Sequence, residues 1–276
     1  MDALVQYFET IPSTHRSLIL VGGITLFWIW ESAAPLFRFE YHKWSHALVN
    51  IFFTATTIVV NFALAFVLLL VADWTTAHRV GLLFLMPGLP PVVQALLGLL
   101  LLDLISAWLA HWVQHKSPTL WRLHLVHHSD THVDTTSANR HHPGESVIRF
   151  GFTVLAVFLV GTPMWMVFLY QALSVVLSQF NHANISLPAR LDRALAWVVV
   201  SPDMHKVHHH YMLPYTDSNY GNIFSVWDRL FGTFQSIDRT ALVYGIDTHM
   251  DPAVHESVPQ LLLMPFKRKP RTPRAR

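Results

Sequence analysis

Histidine is the residue that stands out in this chain. There are 19 in 276 residues, against 17 Asp and Glu together and no cysteine. Four groups have spacings that chemistry could use. His111 and His115 are four apart; His124, His127 and His128 form HLVHH; His182 sits in FNHAN; and His205, His208 and His209 form HKVHH, with His210 adjoining. On a helix, residues three and four apart share one face, the arrangement a shared metal needs. One buried histidine is ordinarily a capping or hydrogen-bonded residue, but nine converging ones are not. Neutral rings need partners and crowded protonated rings repel, whereas a metal satisfies their nitrogens together. Nine ligands exceed the four to six that one first-row ion accepts, so the spacing implies two metals. Structural zinc is closed and four-coordinate, so two all-histidine sites of higher coordination favour redox iron. Imidazole alone would also suit zinc, copper or nickel. The lack of cysteine excludes thiolate zinc, iron–sulfur clusters and disulfides.

The elements that must position these rings are apolar. The chain is 52% hydrophobic and 13% charged, where a soluble domain carries roughly 25% charge. That excludes disorder and implies a polytopic membrane protein. Apolar runs cover residues 18–30 (weakly extended past Glu31 and Pro35), 47–72, 92–113 with Asp103 inside, and 147–180 with one early charge, Arg149. The last run would be about 51 Å long as one helix, too long for a ~30 Å hydrocarbon core. Gly161-Thr162-Pro163 interrupts it, so a helical hairpin that enters and returns is expected. The hairpin would bring His182 back to the side of the earlier histidines. The expected fold is all-α, with about three spans, the hairpin and a histidine-rich helical cap. Residues 191–200, too short to span, are expected to lie at the interface. Arg38, Lys43, Lys116, Arg122 and Arg140 all fall on the histidine side, and only Arg16 and Arg79 fall opposite. The positive-inside rule makes the histidine side cytoplasmic. Residues 267–276 hold six basic side chains and no acid, read as a solvated end and not as a nucleic-acid-binding segment. No cleavable signal peptide is expected in residues 1–16, which carry Asp2 and Glu9.

The HxxxH at His111 and the HxxHH at His124 and His205 resemble the fatty acid hydroxylase / sterol desaturase superfamily of membrane di-iron enzymes. So do Leu120-Trp121-Arg122-Leu123-His124, Arg140-His141-His142-Pro143-Gly144-Glu145, Asn219-Tyr220-Gly221, and Trp227-Asp228-Arg229-Leu230-Phe231-Gly232-Thr233. The similarity runs over about residues 103–234. It implies an N-terminal transmembrane region over 1–91, a catalytic region over 92–235 and a tail over 236–276. It also implies two iron ions held by His111, His115, His124, His127, His128, His182, His205, His208 and His209, with His142 of the His-Pro pair as a tenth ligand. Some relatives have a further histidine where this chain has Ser178, and a water or Asn184 would fill that gap. Asp103 is expected to accept a ligand N–H, with Asp130, Asp134 and Asp203 as weaker candidates. His132, His141 and His210 are placed beside the site or on the surface. His15, His42, His46, His78, His249 and His255 are read as ordinary residues.

The resemblance further implies O2 as co-substrate and hydroxylation or desaturation of an unactivated C–H bond in a sterol, fatty acyl or alkyl lipid. Electrons would come from a ferredoxin or a cytochrome b5-like carrier with its NAD(P)H reductase, because no GxGxxG is present. Lys206 and the basic C-terminal surface are expected to receive an acidic partner. The rival readings are a zinc-dependent membrane hydrolase and a metal transporter.

Overall fold

The computed structural model describes residues 1–267 and is helical, with no β-sheet among them. The basic end, 268–276, lies outside the described residues. The chain opens with α1 (Asp2–Glu9) and α2 (Ser13–Ala33) and continues into α3 (Lys43–His78), a helix of 36 residues. At 1.5 Å per residue α3 is about 54 Å long, more than a hydrocarbon core requires. Leu48, Ile58, Val59, Phe62 and Phe66 point outward along it, Phe62 with 83% of its surface exposed. Such an unbroken apolar exterior suits lipid, not water.

Next comes α4 (Pro91–Asp103), with proline at its first turn, where the missing N–H costs nothing. A π-helical turn, Leu104–Leu109, joins it to α5 (Ala110–Lys116). A short turn leads to α6 (Pro118–His128), and then α7 (Pro143–Val160) and α8 (Met164–His182) form an antiparallel pair. The break falls at Gly161-Thr162-Pro163, where the hairpin is expected. Gly161 takes the left-handed conformation with φ +74°, which glycine adopts without steric cost. Gly81 backs onto this turn so closely that a Cβ on it would lie 2.4 Å from the Gly161 backbone. Shorter helices follow: α9 (Ala189–Leu195), α10 (Pro202–His208), α11 (Val226–Leu230), α12 (Pro252–His255) and α13 (Val258–Leu263).

Among the described residues, three stretches are long and apolar enough to cross a membrane: Lys43–Leu85, Pro91–Lys116 and Pro143–Val160. The first apolar run of the sequence forms α2 but is not among them. His15, Arg16, Glu31 and Ser32 dilute it, and Glu31 is turned inward and buried. The core lies between α3, α4, α7 and α8, where Leu68, Leu99, Leu102, Val157, Val160, Met166 and Val167 pack together. After α9 the chain exposes Trp197 and Val198, in keeping with an interfacial segment.

Candidate metal centre

Two helix starts set the histidine registers. Ser117 caps α6 by accepting from the Leu120 N–H, with Pro118 at the first position. Ser201 caps α10 by accepting from the Met204 N–H, with Pro202 at the first position. Each serine stands seven residues before a histidine, His124 and His208. The π turn ahead of α5 is the kind of helical irregularity that recurs at functional sites.

These elements gather the rings into two groups whose ligand atoms lie within 4.8 Å of one another. The first holds His111, His115, His124, His128 and His208; the second holds His127, His182, His205 and His209. The division follows helical spacing. The i,i+4 pairs His111/His115 and His124/His128 serve the first group, and His205/His209 serves the second. The odd member of each HxxHH crosses over, His127 to the second group and His208 to the first. A histidine at 178 would have made a fourth such pair with His182. The side chain there is Ser178, which lines a cavity shared with His111, His124, His127, His182 and His205.

The rings are oriented for a cation. His111 Nδ1 donates to the Tyr220 carbonyl at 2.9 Å, and His124 Nδ1 lies 2.7 Å from Glu145 Oε1. Both Nε2 atoms then carry lone pairs, yet they face each other at 3.0 Å. The second group repeats this arrangement. His182 Nδ1 donates to the Ser178 carbonyl at 2.7 Å. His182 Nε2 stands 3.2, 3.0 and 3.3 Å from Nε2 of His127, His205 and His209. Facing lone pairs repel unless a cation lies between them, and metal–nitrogen bonds of about 2.1 Å place neighbouring ligand atoms about 3.0 Å apart. Nε2 of His115, His128 and His208 is buried without a hydrogen-bond partner, a costly state that a metal removes. Burial, reinforced by neighbouring imidazoles, holds His127, His128, His205 and His209 well below the usual imidazole range. Burial likewise brings His208 to about 3. These rings are neutral near pH 7, the form that binds metal. The residues present therefore fit two metal ions.

The pattern of the fatty acid hydroxylase family matches residues 95–233 of this chain. The chain belongs to that family. It is 26% identical to an ornithine lipid hydroxylase of Rhizobium tropici over 182 residues, covering 66% of this chain and 53% of that protein. It is 30% identical over 148 residues to a cholesterol 25-hydroxylase-like protein of Danio rerio, covering 53% and 58%. It is 24% identical over 148 residues to an alkylglycerol monooxygenase of Caenorhabditis elegans, covering 54% and 26%. The matches thus reach between about a quarter and three fifths of these relatives' lengths. No solved structure matches the chain at a significant level.

In this fatty acid hydroxylase family member the nine histidines of the boxes come together, but His142 does not join them. It caps α7: its Nδ1 accepts from the Gly144 N–H, and its Nε2 lies 3.3 Å from the Leu262 carbonyl. His141 turns inward instead and pairs with Glu145 at 2.9 Å. Asp103 does not reach a ligand either, because eight helical residues put it about 12 Å below His111. Its carboxylate accepts from the Ile223 and Phe224 N–H groups and from Trp227 Nε1. Asp103 therefore acts at one remove, by fixing the loop whose Tyr220 carbonyl holds His111. Asp228 shares that work, accepting from Tyr220 N, Gly221 N and Trp108 Nε1.

The other expected carboxylates are engaged elsewhere. Asp130 pairs with His46 and accepts from Ser137. Asp134 caps the turn at Thr136 and accepts from Tyr41. Asp203 pairs with Arg239. The carboxylates that do approach ligands are Glu145, on His124, and Asp217, 3.8 Å from His115 Nδ1. Asn184 cannot fill the place beside Ser178, because its side chain is spent on both polar groups of the Phe37 backbone. Lys206 offers nothing to a partner: it is fully buried against the Ile185 carbonyl, and burial lowers it to about 8. Of the histidines outside the boxes, His46, His210 and His255 are buried and enter none of the clusters that could hold a metal, whereas His141 forms a third such cluster with His124 and Glu145.

Proposed function

We propose that this protein is a membrane-bound oxygenase that uses two irons and O2 to hydroxylate an unactivated C–H bond of a lipid. The observation that carries the reading is the pair of histidine groups opening onto one cavity, five imidazoles in the first and four in the second. Five exceed what closed zinc takes, and the second group leaves room for an exogenous ligand beside Ser178. Bound there, the irons would supply the electrons for O2 reduction and the oxidising power to remove hydrogen from the substrate.

The chain's own residues supply placement. The Tyr220, Ser178 and Ser218 carbonyls hold the Nδ1 protons of His111, His182 and His208, and Glu145 holds that of His124. These contacts fix each Nε2 toward its metal. Burial of every ligand ring keeps bulk water out, so the reacting carbon meets the centre in a dry, ordered site. Related proteins are named for ornithine lipid, alkylglycerol and cholesterol, which supports a lipid arriving from the bilayer. The site faces the cytoplasm in this reading, and electrons come from a separate ferredoxin or cytochrome b5-like carrier. Desaturation is a different outcome of the same hydrogen removal.

Lipid extracts incubated with reduced, iron-loaded protein under heavy-isotope oxygen gas test the proposal. Label in a hydroxylated lipid is expected. Zinc-only protein with hydrolytic turnover would overturn it.

A further inference from the structure

Arg149 is a charge inside an apolar helix. It stands six residues beyond Pro143 in α7, about 9 Å along the axis. An arginine at that depth is costly unless it has a purpose. One turn earlier, Glu145 is committed to His124 and His141, and among the described residues the Arg149 side chain makes neither a hydrogen bond nor an ion pair. Arg149, partly buried, lines the cavity onto which both histidine groups open, together with Ser178 and Asn222. Among the described residues no Asp or Glu lines that cavity. A guanidinium is a planar fork of donors matched to carboxylate and phosphate oxygens, and a cavity whose lining carries a cation and no carboxylate concentrates anions.

We propose that Arg149 anchors the substrate by an oxyanion, a carboxylate or phosphate on an acidic lipid, so that the carbon oxidised lies within a few bonds of that charge. This rests on the oxygenase reading of the same cavity. It makes Arg149 a determinant of substrate class: acidic amphiphiles are preferred over neutral ones of equal chain length.

Binding to the full-length, iron-loaded protein without O2 tests the anchor independently of turnover. Dodecanoate, dodecyl phosphate and dodecanol are titrated at equal mole fraction in detergent micelles, with inorganic phosphate as the tail-free control. At least one acid is expected to bind about tenfold more tightly than the alcohol, the scale of one hydrogen bond to a charged group. The better of the two acids identifies the headgroup chemistry. Arg149→Gln should erase that preference and Arg149→Lys should retain part of it, with iron content reporting that each variant is folded. Should the Gln variant fail to load iron, the Lys variant and the acid-to-alcohol ratio of the native protein decide. Equal binding of acids and alcohol, an unchanged preference in Arg149→Gln, or phosphate binding as tightly as its dodecyl ester would overturn the anchor. Hydroxylation of neutral lipids without acid preference removes the anchor and leaves the oxygenase. Acid preference without oxygen incorporation does the reverse.

Discussion

His141 and His142 are adjacent but have different jobs, because α7 begins at Pro143. The residue just outside a helix start turns its side chain back onto the first free N–H groups, and His142 does this with Gly144. His141, one residue earlier, faces Glu145. Glu145 in turn sets the His124 ring, so Glu145→Gln should leave folding intact and lower metal affinity by about 10- to 100-fold, the usual cost of losing such a support. Titration of the apoprotein with ferrous iron measures this. His127→Ala and His208→Ala should each abolish product formation with membrane insertion unchanged, since neither residue lies in a spanning stretch; full activity in either would remove it from the ligand set. Eight of the nine box histidines were legible in the sequence because their spacing is local and helical; His182 stands without such a partner and was marked only by its FNHAN context after the hairpin. Glu145 was not, because it stands 21 residues from the ring it orients and no periodicity connects them.

At the scale of elements, the hairpin α7–α8 and the loop at residues 220–228 do the positioning. The hairpin could be read from the sequence, since its length and its Gly-Thr-Pro break are chain-local. It delivers His182 to within 3.2 Å of His127 across 55 residues. The loop could not be read. Asp103 holds it across 120 or more residues, and helical spacing alone pointed that carboxylate at a ligand instead. Asp103→Asn would set an amide N–H against donors that now meet a carboxylate. The expected loss is about 1–3 kcal/mol. Thermal unfolding should come earlier, and iron should leave the His111 group first, so that metal content falls from two toward one per chain. Unchanged melting and full iron would show that the loop stands without Asp103.

Over the whole molecule, the N-terminal helices are part of the scaffold of the site. Glu31 of α2 accepts from the Thr135 and Asn184 N–H groups, bracing the segment after α6 and the exit of α8. Asn50 of α3 meets Arg140, which is completely buried and also donates to the Val126 carbonyl of α6 and the His255 carbonyl of α12. Hydrophobicity placed these helices in a membrane, but their few inward polar residues, which tie them to the site, carry no sequence signal at a distance. Arg140→Ala should cost about 3–5 kcal/mol, because it leaves Asn50 Oδ1 and the buried Val126 and His255 carbonyls without their donor, while Asp130 keeps His46. His255→Ala should be close to silent in activity, because its backbone carbonyl still accepts from Arg140.

The central claim is that the chain folds its histidines around two metals. Counting iron in purified, ferrous-reconstituted protein tests it most directly. Two irons per chain are predicted for the native protein, falling to about one when His205→Ala and His209→Ala together disable the second group. A native content of one or none, or iron binding untouched by that double substitution, would contradict it.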